Sequence, residues 1–375
     1  MPQPRVRLLA TCLLAAACVA CGGASRPGTQ ARAGGAHRVG NLAHPRAVHT
    51  ATTLADGRVL VAGGFGADEG ELWASTELFD RTSSRFRAGP AMLAARQSHT
   101  ATRLRDGRVL IAGGYGADGR TLASAELFDP AARRFVATGR MTEPRAGHAA
   151  VLLRNGTVLV VGGEASLSHT LASAEIYDPA TGRFVATGAM GGARTSHTAT
   201  VLPDGRVLVA GGHRGRRASL RVLRSAELYD PAAGAFTATG ALRARRHKHD
   251  AVTLADGRVL VIAGADERDD RGAYDTAEIY DPRRGAFAPT GALALARYKL
   301  QGTSIALMGD AALVTAGAAR PELFIEREHR FRALPGSFGT AHLFAAAARV
   351  GEGALVTGGY TSAGPATADA WLVTP

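Results

Sequence analysis

Residues 49–64 read HTATTLADGRVLVAGG, and close copies of this stretch recur along the chain. The copies are HTATRLRDGRVLIAGG at 99–114, HAAVLLRNGTVLVVGG at 148–163, HTATVLPDGRVLVAGG at 197–212 and HDAVTLADGRVLVIAG at 249–264, with weaker ones at 303–317 and 342–359. Their last glycines fall at 64, 114, 163, 212, 264, 317 and 359. A period of about 50 residues predicts an array of seven similar units.

Each unit contains signals for four short antiparallel strands. The HTATxL segment is strand A, and an Asp-Gly or Asn-Gly pair such as Asp56-Gly57 then turns the chain into strand B. Strand B ends at the double glycine. A variable segment leads to strand C (TELFD, AELFD, AEIYD and their equivalents), and Asp-Pro turns such as Asp129-Pro130 connect it to strand D.

A four-stranded unit of this size cannot bury both of its faces, but radial stacking of the units can. The double glycine, the E-x-Y/F-D-P strand and the strand D aromatic recur in register, and here residues 37–373 resemble kelch repeats. The resemblance implies an all-β, seven-bladed β-propeller with blades near 47–88, 97–138, 146–187, 195–239, 247–290, 300–334 and 341–373. Strand D carries Phe where kelch repeats usually have Trp. The second glycine is kept in all seven units, so we expect it to hold a positive φ.

The seventh unit ends after strand C. Residues 37–46, HRVGNLAHPR, resemble FVATGRMTEPR, which links strands D and A between two units. The N-terminal segment near 37–40 is therefore predicted to supply strand D of the last blade and to close the ring without exposed edges.

The antiparallel order sorts the connections into two faces. The short A–B and C–D turns share one side, the turn face. The D–A and B–C segments share the other, the loop face. The B–C segments vary in length and charge, and variable loops on a rigid scaffold commonly carry binding sites.

Residues 1–21 read MPQPRVRLLATCLLAAACVAC, a basic start followed by an apolar run too short to span a bilayer as a helix. This resembles a bacterial lipoprotein signal, which implies a signal peptide over 1–20, a lipidated Cys21 and a flexible tether over 21–36. Lipidation at Cys18 and ordinary cleavage near Ala20 remain open alternatives. The expected location is the outer membrane or cell surface through the lipid anchor, or otherwise the periplasm or the medium.

The positions of the cysteines and the net charge exclude some classes of function. The three cysteines are Cys12, Cys18 and Cys21, so a chain that begins at Cys21 has no internal disulfide, cysteine-ligated metal or cysteine nucleophile. The same lack excludes a copper radical oxidase on this fold, which would need a Cys–Tyr crosslink. The net charge is +12 with 44 Lys and Arg. Nearly all are Arg, which is typical of a high-GC genome and does not indicate a nucleic-acid partner.

An R-x-x-H motif precedes most of the A strands, and strand C carries one acid per unit. The two readings are a cationic funnel for an anionic ligand and structural pairing of each Arg with an acid, and the near-equal counts favour pairing. One His per unit converges too poorly to predict a metal site, and no cofactor is expected. The residues of this repeat ring are Arg46, His49, Arg96, His99, Arg145, His148, Arg194, His197, Arg246, His249, Arg297, His342, Glu77, Glu126, Glu175, Glu227, Glu278, Glu322 and Asp369.

Residues that break the repeat are the better ligand-binding candidates. They lie in the fourth and fifth B–C segments and in the D–A segments that precede units 5 and 6. Together they would form either ordinary solvated loops or a two-sign patch for a polyanion or protein. The candidates are Arg214, Arg216, Arg217, Arg221, Asp266, Asp269, Asp270, His247, Lys248, Tyr298 and Lys299.

The sequence favours a monomeric cell-envelope binding or scaffold protein that recognises a protein or glycan, of anionic character in one reading, through the loop face. The alternative is a carbohydrate-modifying enzyme similar to periplasmic kelch mutarotases, although those have six blades. A repeat-breaking, unpaired carboxylate facing the channel would favour the enzyme. Fold alone does not decide between them.

Overall fold

Seven four-stranded antiparallel sheets, one for each repeat, are arranged as the blades of a seven-bladed β-propeller, as the sequence predicts. The computed structural model describes residues 34–68, 70–300, 305–361 and 364–375. The predicted signal peptide and Cys21 lie outside the described residues. Strands are named A to D within blades 1 to 7.

Strand A lines the centre, where the A strands of neighbouring blades contact one another. The A strands are Thr50–Thr53, Thr100–Arg103, Ala149–Leu152, Thr198–Val201, Asp250–Thr253, Ile305–Met308 and Ala346–Val350. The B strands are Val59–Ala62, Val109–Ala112, Val158–Val161, Val207–Ala210, Val259–Ile262, Ala311–Val314 and Gly353–Thr357. The C strands are Thr76–Asp80, Ala125–Asp129, Ala174–Asp178, Ala226–Asp230, Ala277–Asp281, Glu322–Ile325 and Asp369–Thr374. The D strands of blades 1 to 6 are Arg85–Ala88, Arg134–Ala137, Arg183–Thr187, Ala235–Ala238, Ala286–Pro289 and Arg330–Ala333.

The B–C segments of blades 3 and 4 add two small hairpins, Glu164–Ser166 with His169–Thr170 and His213–Arg214 with Arg221–Val222. Three short 3-10 helices, Arg217–Ser219, Asp269–Gly272 and Glu326–Glu328, complete the described elements. Among the described residues, no helix is long and apolar enough to cross a bilayer.

The ring closes through the chain's N-terminal strand. Gly35–Asn41 pairs antiparallel with Asp369–Thr374 and forms strand D of blade 7, with Gly35 opposite Thr374. The predicted closure is therefore confirmed. Because Gly35 and Thr374 lie at the C–D side of the blade, both ends of this part of the chain leave from the turn face.

The core is a set of apolar layers between consecutive blades. In one layer, Leu60 and Leu78 of blade 1 face Ile111 and Phe128 of blade 2. The four residues of each B strand in blades 1 to 6 are all buried because both faces of the blade are covered. Each strand D phenylalanine packs on the strand C aromatic of its own blade, as Phe135 does on Phe128 at 5.0 Å between ring centroids.

The double glycine is a contact point between blades. The second glycine has a positive φ in all seven blades, which confirms the expectation. A Cβ atom on the first glycine would collide with the histidine of the next blade. In blade 1, a Cβ on Gly63 would lie 2.8 Å from Cε1 of His99. Blade 5 has Ala263 at this position, and the next blade carries Leu300 in place of histidine.

Candidate functional site

Each of the six arginines that precede strand A forms an ion pair with the strand C glutamate of its own blade. The N···O distances run from 2.6 to 3.0 Å, and both side chains are buried in every pair. The pairs are Arg46–Glu77, Arg96–Glu126, Arg145–Glu175, Arg194–Glu227, Arg246–Glu278 and Arg297–Glu322. Blade 7 has Gly339 in place of the arginine, and its Asp369 pairs with Arg38 of the closing strand.

The hydrogen bonds around these pairs are architectural. In blade 3, Arg145 also donates to the Gly162 carbonyl at the end of strand B, at 2.9 Å. The second oxygen of Glu175 accepts the Thr142 N–H at 2.8 Å. Burial lowers the pKa of Arg46, Arg96 and Arg194, and the facing glutamate opposes this shift. Since each charge is matched inside its blade, the ring does not act as a cationic funnel, and the structural reading of the motif applies.

The histidines of the motif connect blades. In three blades the ring Nε2 lies 3.0 to 3.2 Å from the first threonine of the preceding strand A: His99 with Thr50, His148 with Thr100 and His249 with Thr198. Ala149 stands at the threonine position before His197, and both ring nitrogens of His197 lack a partner among the described residues. Burial lowers the pKa of His99 and His148 to about 3, so these rings are neutral at physiological pH.

A cavity of about 210 Å³ occupies the central channel inside the A strands. Its described lining contains no arginine. It is formed mainly by small and hydroxyl-bearing side chains and neutral histidines, with Asp250 as a carboxylate that breaks the repeat. Asp250 accepts the Ala251 N–H at 2.7 Å. No group of three or more potential ligands for a metal ion is found among the described residues.

The loop-face end of the channel is a closed collar. We use this name for the residue just before each motif histidine, or its equivalent: Val48, Ser98, Gly147, Ser196, Lys248, Lys299 and Phe344. All seven have φ between 51° and 61°. Seven N–H···O bonds of 2.9 to 3.2 Å join these segments around the channel, with Leu300 as the donor in blade 6. Two of the seven, Lys248 and Lys299, are among the predicted ligand-binding candidates, whereas the other five resemble ordinary loop residues in the sequence.

The collar differs in character around the ring. Near blades 1 and 7 it is aromatic, because Phe65 and Phe344 lie about 6 Å from Tyr360. A wider cavity of about 710 Å³ opens above these rings and extends toward blade 2. Lys299 lies 4.8 and 5.0 Å from the centroids of Tyr298 and Tyr360.

A polar cluster occupies the loop face over blades 2 to 4. Arg216 pairs with Glu164 at 2.5 Å and lies 3.1 Å from the Tyr115 hydroxyl, which also bonds to Glu164. Burial and the adjacent carboxylate raise the pKa of Tyr115, so it remains a phenol. Sequence reasoning missed Glu164. The available signal was that the residue after the double glycine varies between blades and that Glu164 is the one acid at this position.

A second cluster joins blades 4 and 5. His213 and His247 face each other with their Nδ1 atoms 3.0 Å apart. Lys248 bonds Asp269 at 2.8 Å, and Asp269 lies 3.6 Å from His247 Nε2. Burial lowers the pKa of His213 to about 3 and that of His247 to about 4, so one neutral ring donates to the other.

The predicted two-sign patch is unbalanced. The fifth B–C segment also contributes Glu267, and three of the four acids of this segment are paired: Asp266 with Arg268, Glu267 with Arg245 and Asp269 with Lys248. Asp270 is exposed and without an ion pair among the described residues. The arginines of the neighbouring hairpin, apart from Arg216, are exposed and have no carboxylate partner there: Arg214, Arg217, Arg221 and, just after the hairpin, Arg224. The surface therefore presents an excess of positive charge.

Other loop aromatics serve packing. Trp73 donates to the Pro45 carbonyl at 2.9 Å and stacks on His44. Tyr274 lies over the buried guanidinium of Arg246, at 5.3 Å from the ring centroid. These two rings are therefore engaged in loop contacts.

Fold and site together define a seven-bladed β-propeller with a structural ring of ion pairs and a variable loop face. No protein-family model matches the sequence. No curated protein matches it either. Among solved structures, the fold is similar to one titled "Structure of YjhT", with a TM-score of 0.61 and 12% identity, over 89% of this chain and 96% of that chain. At this identity the likeness shows the fold alone.

Proposed function

We propose that the protein is a cell-envelope recognition module that binds an anionic glycan or an acidic protein through the loop face of blades 4 and 5. The observation that carries this proposal is the charge imbalance there. Four exposed arginines on and beside the hairpin at 213–222 lack a carboxylate among the described residues, whereas three of the four acids in the facing segment are paired. Guanidinium groups bind carboxylate and phosphate groups in bidentate fashion.

Contacts within the protein fix the position of the hairpin without a ligand. Arg216 anchors it to Glu164 of blade 3, and the Val222 N–H donates to Glu267 of blade 5 at 3.2 Å. A fixed hairpin loses less conformational entropy on binding than a free loop would. The neighbouring arginines are thus presented from a supported position.

The kelch resemblance and the lipoprotein-like N-terminus support the cell-envelope location in this proposal. With lipid at Cys21, the tether would join the propeller at Gly35, which lies at the turn face opposite Thr374. The loop face would then point away from the membrane. Mass spectrometry of the mature N-terminus, compared with a Cys21→Ala variant, tests the anchor.

The recognition role is tested by a binding screen of the purified protein against acidic polysaccharides, neutral polysaccharides and envelope proteins. The expected ligands are acidic, and their binding weakens with added salt because exposed charges are screened. Binding confined to neutral glycans would contradict the proposal.

A sugar-modifying enzyme is the second candidate, and Asp250 is the observation that favours it. Asp250 is a carboxylate that lines the channel and breaks the repeat. Glu164 is weaker support because Arg216 neutralises it. Polarimetry of freshly dissolved reducing sugars tests this candidate. Faster mutarotation with the protein than with its Asp250→Asn variant would support an enzyme, and equal rates would exclude this residue.

A further inference from the structure

The collar holds side chains in a backbone conformation that disfavours them. Six of its seven residues are not glycine, although all have left-handed φ values. Val48 is the clearest outlier, since a β-branched residue rarely adopts this region. Left-handed conformations are unfavourable for L-residues, because the Cβ atom comes too close to the following carbonyl oxygen. Gly147 shows that the same frame accepts glycine.

Backbone strain of this kind is enforced by the surrounding structure, and it is concentrated at functional sites. The frame itself needs only the backbone, because the seven hydrogen bonds of the collar join N–H and C=O groups. The collar carries five different residue types in its seven positions, unlike the repeated pattern of arginines and glutamates beneath it. The use of its side chains is therefore not the repeated packing of the blades.

The collar opens onto the channel cavity on one side. Ser98, Gly147 and Ser196 line that cavity, and the two serine hydroxyls make no hydrogen bond to described residues. The opposite arc carries the larger side chains of Lys248, Lys299, Phe344 and Val48. The small side chains therefore leave an entrance to the cavity. It lies next to the two lysines of the collar, Lys248 and Lys299, which we call the cationic rim.

The two lysines of the cationic rim carry one positive charge more than the Asp269 carboxylate balances. Lys248 is bonded to Asp269 at 2.8 Å. Lys299 has aromatic rings on two sides and forms no ion pair among the described residues, although its charge also acts on the Asp269 carboxylate. The histidines of the cavity are neutral, and Asp250 is the one carboxylate among its described lining residues.

We infer that the collar and the channel cavity form a binding site for a small carboxylic acid. The carboxylate stays at the collar against the Lys299 ammonium, because Asp250 lies in the cavity, and the uncharged body of the ligand enters between Ser98 and Ser196, whose hydroxyls bond its polar groups. A cavity of about 210 Å³ corresponds to roughly seven waters, which limits the ligand to a small molecule. This site is separate from the arginine-bearing hairpin of the proposed function.

Ligand-observed NMR titration of the purified protein tests the site with matched probes: benzoate against benzamide, and succinate against succinamide. At least one acid should bind at least tenfold more tightly than its amide, and Lys299→Gln should remove that preference. Acids and amides that bind equally, or a preference that survives in Lys299→Gln, would overturn the inference.

A matched pair of glycine variants separates binding from folding. Ser98 of the collar and Ser84 of a turn-face C–D turn have φ of 53° and 52°. Ser98→Gly and Ser84→Gly should therefore raise the melting temperature alike, while only Ser98→Gly weakens binding of the acid. Equal binding by the two variants would contradict a role for the collar side chain. Replacing the hairpin arginines should leave acid binding unchanged, which distinguishes this site from the proposed function.

Discussion

At the scale of single residues, each buried ion pair makes the fold depend on both of its partners. Arg145→Ala would leave Glu175 buried without its counter-charge, and we expect a loss of about 3–5 kcal/mol in the free energy of unfolding. Urea denaturation measures this loss. The exposed Arg134→Ala is the control and should change stability by no more than about 0.5 kcal/mol. A wild-type midpoint for Arg145→Ala would refute the structural assignment of the ring.

His197 offers the opposite experiment, a stabilising substitution. Ala149→Thr would place a hydroxyl where the neighbouring blades supply one to their histidines, and a satisfied hydrogen bond contributes about 1 kcal/mol. Thr100→Ala, which removes the partner of His148, should cost about 1–3 kcal/mol. Thermal unfolding of both variants checks the prediction. A lower melting temperature for Ala149→Thr would contradict it.

The same histidines predict acid sensitivity. Their folded-state pKa values are depressed, to about 3 for His99 and His148, whereas an unfolded histidine titrates near 6.5. Below that pH the unfolded state takes up protons that the folded state refuses. Stability should therefore be complete above pH 6.5 and fall as the pH decreases toward 3, by up to about 1.4 kcal/mol per pH unit for each such histidine.

Urea unfolding at pH 7.5, 6.5 and 5.5 measures this dependence. His148→Gln is the control, because it removes one titrating group and should make the decline between pH 6.5 and 5.5 shallower. A free energy of unfolding that does not change between pH 7.5 and 5.5 would show that the pKa values of the rings are not depressed in the folded state.

Residue counts made the ion pairs predictable, because six arginines faced a similar number of acids at fixed spacing. The collar was not predictable in this way. Val48 and Ser98 resemble ordinary loop residues, and their left-handed conformation arises from hydrogen bonds to neighbouring blades, which are distant in sequence.

At the scale of elements, the closing strand is the test of the ring. A chain that starts at Gly34 retains strand D of blade 7, whereas one that starts at Leu42 lacks it. We expect the first to unfold like the full chain. The second should lose a large share of the ~5–15 kcal/mol that is typical of a folded domain. Equal melting temperatures by calorimetry would rule out this closure.

Strands and turns were predictable from the sequence because the repeat supplied seven examples of each. The B–C segments were not, since each occurs once. The pairing of Arg216 with Glu164 joins residues 52 positions apart, and no pattern in the sequence links them.

At the scale of the whole molecule, residues that repeat and residues that break the repeat have different roles. Residues that repeat, such as Arg145 and Glu175, hold the blades, and residues that break the repeat form the loop face. The fold follows from the first kind and was predictable. The ligand depends on the second kind, where charge pairing across blades decides which groups remain free.

The most direct test of this division is the affinity of the protein for alginate, a polymer of sugar carboxylates, with neutral dextran as reference. One variant replaces Arg214, Arg217, Arg221 and Arg224 by serine. A second replaces four exposed arginines of strands D and the C–D turns, Arg85, Arg134, Arg183 and Arg283, so that its net charge is identical. Titration should show at least tenfold weaker alginate binding for the hairpin variant and near-wild-type binding for the second. Equal losses in both variants would show that only the overall positive charge matters and would contradict a binding site on the loop face.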